Sequence, residues 1–247
     1  MTAGAAEPAG TTVNLWRRES GTVPPEVWRR TDARVLILAE NGLTTVSPAI
    51  GGMRNLRTLD LGHNFLTEVP DEIGNLTRLS DFLYLHDNRL TELPSSLGRL
   101  AELRYLNIGE NRLLQLPKSL GGMAALRELR AGHNRLTRLP GTIGRLGRLR
   151  ELWLRGNRLT ALPDSTDGMR ELRMVELREN SLTEFPAILT ALPRLRHLDL
   201  RANRLTGLPA TVLDLPALEK LDLRWNPFDP PPDLVAELER RGCAVLW

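Results

Sequence analysis

Few side chains in this 247-residue sequence have the type and spacing to do chemistry. Cys243 follows Arg240-Arg241-Gly242, and neighbouring cations can activate a thiol as a nucleophile. Its other neighbours, Ala244-Val245-Leu246-Trp247, are apolar, so a buried and unreactive cysteine is expected. His63, His86 and Asp87 fall about one repeat apart and can meet as an acid–base or metal-binding group; a solvated polar cluster is the expectation. His63 and His133 are three repeats apart, ~14 Å at the usual strand spacing, too far to share a metal ion. No P-loop, zinc-ligand spacing, HExxH or GxSxG motif is present. The expected protein is not an enzyme, holds no metal and no cofactor, and acts by binding.

Binding needs a surface, and the surface here is set by a repeat. Leu56–Arg78 reads L-x-x-L-x-L-x-x-N-x-L-x-x-V-P-x-x-I-G-x-L-x-x. The asparagines Asn41, Asn64, Asn88, Asn111, Asn134, Asn157, Asn180, Asn203 and Asn226 recur every 23 residues, with one spacing of 24. A fixed period with this motif marks a leucine-rich-repeat solenoid. Leu59 and Leu61, two apart in an extended segment, point to one face. Leu56, Leu66, Val69, Ile73 and Leu76 join them only if the chain closes into a coil. Asn64 stands where the chain leaves the strand, and its amide can satisfy backbone groups buried by the turn. Pro70 sets an extended exit, and Ile73-Gly74 is expected to begin a short return. One coil cannot bury enough to stand alone, so coils stack and the ends need caps.

The fold expected is an α/β solenoid: a leucine-rich-repeat horseshoe with a parallel concave sheet, short helical or irregular convex returns, and N- and C-terminal caps. Residues 1–12 are expected to be a disordered tail and 13–247 one domain. Within it, 13–32 form a degenerate first repeat, 33–228 the repeats and 229–247 the C-terminal cap. Trp16 and Trp28 are bulky extras of the first cap, which is expected to fold over Val35 and Ile37. An extra residue before Leu83 predicts a bulge at Ser80-Asp81-Phe82. Thr166-Asp167 replaces Ile-Gly and predicts a looser segment over Asp164–Gly168. Asp233 is expected to cap a helix that ends at Gly242.

Net charge is +3 with a pI of about 9.6, and the only lysines are Lys118 and Lys220. This arginine bias, with abundant Ala and Gly, points to GC-rich coding and a bacterial source. A single cysteine permits no intrachain disulfide. Met1–Thr12 lacks the charged start and apolar core of a signal peptide, and no apolar run approaches membrane-spanning length. The expected location is cytoplasmic.

The returns carry a family resemblance. Leu93-Pro94…Leu97-Gly98-Arg99-Leu100 and Leu139-Pro140…Ile143-Gly144-Arg145-Leu146 are similar to the intracellular leucine-rich-repeat proteins of the 23-residue LPxxIGxL type. Those are typified by Ras-scaffold, Ras-suppressor and plant Ras-group proteins, and the resemblance covers roughly residues 13–228. It implies a curved solenoid that binds another protein on its concave sheet.

Counting back from each asparagine gives the exposed concave columns. One stretch holds Phe82, Tyr84, Tyr105, Arg130, Trp153 and Met174, with Gly62, Gly109 and Gly132 as a floor. Solvated aromatics beside glycines make a partner-binding trough. The other stretch holds Arg155, Arg178, Arg201 and Arg224 beside Glu176, Asp199 and Asp222. It reads as a self-satisfied charged ladder, or alternatively as a surface for an acidic peptide. Arg89, Arg112, Arg135, Arg158 and Arg204 form a rim column without interleaved aromatics, so nucleic acid is not the expected partner. The expected function is a protein-interaction module or scaffold, in intracellular signalling, with no membrane contact. The alternatives are a bacterial effector-like or regulatory protein, or an anion or nucleic-acid binder through the arginine columns.

Overall fold

The computed structural model describes residues 12–163 and 168–247. Residues 1–11 of the tail expected over 1–12, and 164–167 of the loose segment expected over Asp164–Gly168, lie outside the described residues. Each coil contributes one three-residue strand: β1 (Thr12–Asn14), β2 (Val35–Ile37), β3 (Thr58–Asp60), β4 (Phe82–Tyr84), β5 (Tyr105–Asn107), β6 (Glu128–Arg130), β7 (Glu151–Trp153), β8 (Met174–Glu176), β9 (His197–Asp199), β10 (Lys220–Asp222) and β11 (Ala244–Leu246). They form one parallel sheet in sequence order, with neighbours in register along the sheet. The alternation is the one the repeat demands: Leu59, Leu83, Leu106, Leu129 and Leu152 point inward and are buried, while their strand neighbours face out.

The returns described in full are five-residue 3-10 helices, such as Asp71–Asn75 and Ser95–Arg99. Each of these two starts after a proline held extended (Pro70 at φ −67, ψ 149; Pro94 at φ −64, ψ 142). Ile73-Gly74 is therefore the middle of its return, not the beginning. The glycine is required by coil spacing: a Cβ on Gly74 would sit 2.5 Å from the Ser96 carbonyl oxygen, and one on Gly98 2.2 Å from that of Ser119. Where Thr190 and Leu213 take this place, the closing leucines change conformation. Leu192 and Leu215 have ψ 106 and 104, against 51 at Leu76 and 60 at Leu100.

The asparagines bind coil to coil. Asn88 Nδ2 donates to Leu61 O of the preceding coil at 2.9 Å and to its own Leu85 and His86 carbonyls at 3.2 and 3.1 Å. Its Oδ1 accepts from the Leu66 N–H at 3.0 Å. A polar residue is thus buried with its capacity used, which is the condition for burying it at all.

The ends differ from expectation in detail. Thr12 already pairs with Val35, so the first strand starts one residue before the expected boundary. The N-terminal cap extends the sheet alongside Val35 and Ile37, which stay half-exposed; it does not fold over them. The extra residue near Leu83 is absorbed before the strand. Arg104 N–H donates to Ser80 O at 3.0 Å, whereas Arg127 uses Arg104 O, the residue next to its strand. Phe82 lies within β4 in register with Thr58 and is not part of the bulge. The terminal helix, α1 (Pro232–Arg240), follows Pro231, with Pro232 at its first position and Asp233 inside the first turn. Asp233 is not the cap because Pro232, preset for helical φ and lacking an N–H, starts the helix earlier. At the other end Gly242 takes φ 86; Gly242 N–H donates to Glu239 O and Cys243 N–H to Leu238 O. This double closure is a Schellman motif, and it turns the chain into β11, which pairs with β10. Among the described residues no helix is long and apolar enough to cross a membrane.

Candidate functional site

The sheet register brings the aromatic residues of three strands together. Phe82 stacks on Tyr84 with ring centroids 5.8 Å apart and an interplanar angle of 10°. Tyr105 on the next strand lies 5.5 Å from Phe82 and 5.2 Å from Tyr84. Arg130 continues the row, its guanidinium 5.8 Å from the Tyr105 ring and 4.9 Å from that of Trp153. The Glu128 carboxylate holds Arg130 at 2.6 Å, and Trp153 Nε1–H donates to Glu151 at 3.1 Å. Met174, half-buried, pairs with Glu151 and His197 on the flanking strands. Phe82, Tyr84, Tyr105, Arg130 and Trp153 thus form one continuous row, and Met174 lines a hollow with Trp153. The rings are partly shielded by one another, and burial pushes the Tyr84 and Tyr105 hydroxyls above the usual phenol range.

The glycine floor is open at two of its three positions. At Gly62 the His86 ring fills the space, with Cε1 2.5 Å from where a Cβ would be. Gly109 and Gly132 have no ring over them, a Cβ meeting Asn107 Oδ1 at 3.2 Å at the first and Arg155 Cβ at 3.9 Å at the second, and they floor a hollow of about 210 Å³ walled by Arg130, Trp153, Arg155 and Glu176. A second hollow of about 290 Å³ opens on the other side of Trp153 and Glu176, with Met174, His197, Asp199 and Lys220 around it.

The charged ladder is built, but not by the carboxylates expected throughout. Arg201 pairs with Asp199 at 2.5 Å and with Asp222 at 3.3 Å, and Arg224 pairs with Asp222 at 2.7 Å. Arg155 and Arg178, however, both turn to Glu179, at 3.1 and 3.3 Å. Glu176 takes no part in an ion pair among the described residues. Burial first, then the charge of Asp199, raises its pKa above the usual carboxylate range. Glu179 escaped the column reading because it precedes Asn180 in a left-handed turn (φ 57) that aims it to the rim. The same turn recurs at Glu40, His63, Asp87, Glu110 and His133. A row of acidic or histidine residues before the asparagines was the only sequence signal for it.

His63, His86 and Asp87 do meet. His63 Nδ1 lies 2.7 Å from Asp87 Oδ2, and its Nε2 lies 3.2 Å from His86 Nε2. His63 thus bridges Asp87 and His86, while His86 Nδ1 is buried without a hydrogen-bond partner. Burial, and then the charge of His63, lowers the pKa of His86. The ring centroids of His86 and Tyr84 lie 5.8 Å apart and those of His63 and His86 4.6 Å, so the histidine pair extends the aromatic row to the preceding coil. Among the described residues no group of three or more His, Cys, Asp or Glu could hold a metal ion. Cys243 is buried under the last coil, and desolvation pushes its thiol up to about 11.

Comparisons with known proteins agree with this geometry. A family model described as "Leucine-rich repeat region" matches residues 21–138, and one described as "Leucine rich repeat" matches 147–205 and 170–228. No curated protein matches the sequence. Among solved structures, PEPR1-AtPEP1 is similar at 27% identity and TM-score 0.78, over 96% of this chain and 34% of that one. The ectodomain of the plant membrane receptor kinase GASSHO1/SCHENGEN3 from Arabidopsis thaliana, in complex with Casparian strip integrity factor 2, is similar at 30% identity and TM-score 0.76. That match covers 87% of this chain and 27% of the other. The functional domain of InlJ from Listeria monocytogenes, which includes a cysteine ladder, is similar at 25% identity and TM-score 0.78, over 96% and 48%. The chain therefore spans less than half of each of these three chains.

Proposed function

We propose that this chain, which belongs to the leucine-rich-repeat proteins, is a non-enzymatic scaffold that holds a segment of another protein on its concave sheet. One observation carries the reading: the unbroken row Phe82–Tyr84–Tyr105–Arg130–Trp153 stands on the solvent side of strands whose inward positions are already filled by leucines. Aromatic area left in water does nothing for folding and is the kind of surface that anchors partners. The plant receptor kinase ectodomain in complex with Casparian strip integrity factor 2, together with the PEPR1-AtPEP1 structure, supports partner binding by this repeat. The LPxxIGxL returns favour the intracellular, signalling type of this repeat, and the arginine bias favours a bacterial source. The lone cysteine, protonated and buried, agrees with a cytoplasmic location and gives no support to thiol catalysis. The arginines of the ladder are already matched by carboxylates, which disfavours an anionic or nucleic-acid partner.

The test is a titration of a captured protein partner against three variants. Tyr105→Ala and Trp153→Ala are expected to weaken binding by ~2 kcal/mol or more each, and Arg201→Ala by less than ~1 kcal/mol, mostly at low salt. Loss of binding in Arg201→Ala alone, with both aromatic variants binding normally, would move the working face to the ladder.

A further inference from the structure

We propose that Glu176, standing beside Trp153 on the ridge between the two concave hollows, receives a lysine or arginine side chain of the bound segment. The inference rests on the trough being the docking face. Every other carboxylate of the outward strand positions from β3 to β10 is engaged: Asp60 by the Gly62 N–H, Glu128 by Arg130, Glu151 by Trp153, Asp199 by Arg201 and Asp222 by Arg224. Only Glu176 has neither hydrogen bond nor ion pair among the described residues, although it is half-buried. The arginines that could have served it, Arg155 and Arg178, are drawn to Glu179. Its raised pKa agrees: burial and the charge of Asp199 outweigh the attraction of Arg178, Arg155 and Arg201.

The surroundings fit the stem of a long cationic side chain. Trp153 is the direct strand neighbour of Glu176, and Met174 lies two residues before it on the same face. Arg130 covers the Trp153 ring from β6, leaving the side toward β8 open. An alkyl stem can lie along Met174 and Trp153 while its charged head meets Glu176 and the indole face. Of the cations bordering the hollows, Arg130 is paired with Glu128, Arg155 with Glu179 and Arg201 with Asp199 and Asp222, and Lys220 is exposed, so the half-buried charge left without a pair is that of Glu176. Charge complementarity therefore selects a basic residue of a protein segment whose apolar residues occupy the adjoining rings.

The test is selection of a randomised linear peptide library, displayed on phage, against the wild-type protein, Glu176→Gln, and the Tyr105→Ala/Trp153→Ala variant. Wild-type binders are expected to carry a Lys or Arg next to apolar residues and to bind Glu176→Gln at least about tenfold more weakly. Replacing that basic residue by Gln should cost as much on the wild type and nothing further on Glu176→Gln. Peptides that need Tyr105 and Trp153 but show no basic preference, or bind Glu176→Gln equally, overturn the Glu176 assignment and leave the trough standing. A selection yielding no peptide that depends on Tyr105 and Trp153 overturns both.

Discussion

Arg130 lies 4.9 Å over the ring of Trp153, and this contact joins the aromatic stretch of the concave face to the ionic one. Arg130 is also held by Glu128, so its head is fixed between two rings rather than free in solvent. A double-mutant cycle with Arg130→Gln and Trp153→Leu is expected to give a coupling of ~0.5–1 kcal/mol in denaturant unfolding. Strictly additive losses would show that the stack does not persist in solution.

The asparagine ladder should outweigh any rim charge. Asn134 Nδ2 donates to Ile108, Ala131 and Gly132 carbonyls at 2.9, 3.2 and 3.3 Å, and its Oδ1 accepts from Leu113 N–H at 3.0 Å. Asn134→Ala leaves buried backbone groups unpaired and is expected to cost ~1–3 kcal/mol. Arg135→Ala, next in sequence but exposed, should stay within ~0.5 kcal/mol. Equal losses in thermal or chemical unfolding would refute the role given to the amide.

Glycines of the returns divide into two kinds. A Cβ at Gly98 meets backbone at 2.2 Å, whereas one at Gly141 meets nothing within 4 Å. Gly98→Ala should therefore destabilise by ~1–3 kcal/mol through forced separation of two coils. Gly141→Ala should be neutral or stabilise by up to ~1 kcal/mol, since it restricts the unfolded chain. Measured unfolding free energies in the opposite order would contradict the coil spacing.

The Cys243 thiol gives a pH dependence of known sign. In the folded chain it keeps its proton up to about 11, while an unfolded thiol ionises near ~8.5. Its contribution to stability is thus complete below ~8.5 and is lost as pH rises toward the folded value. Unfolding of wild type and Cys243→Ala across this window should show the steeper alkaline loss in the wild type. At neutral pH a maleimide should label Cys243 only when denaturant opens the cap; rapid labelling of the native protein would place the thiol at the surface.

The periodic part of this protein was legible in the chain itself. Leu59, Leu61, Asn64 and Pro70 have roles set by local geometry, strand alternation, turn satisfaction and a fixed φ. Repetition carries those roles from coil to coil, so the solenoid and the outward positions of Tyr84, Tyr105 and Trp153 followed from spacing. What spacing could not decide was which partner each outward side chain would choose. Arg155 and Arg178 had Glu176 as the nearer candidate in their columns, yet both pair with Glu179, because the left-handed turn before Asn180 brings that carboxylate to the rim. Gly62 looked like open floor until the His86 ring of the next coil filled it. In the first case the outcome depends on the left-handed turn at Glu179, in the second on a side chain of the neighbouring coil. Sequence set which face each side chain is on; only stacking of the coils decided which charges are satisfied and which, like Glu176, are left without a partner.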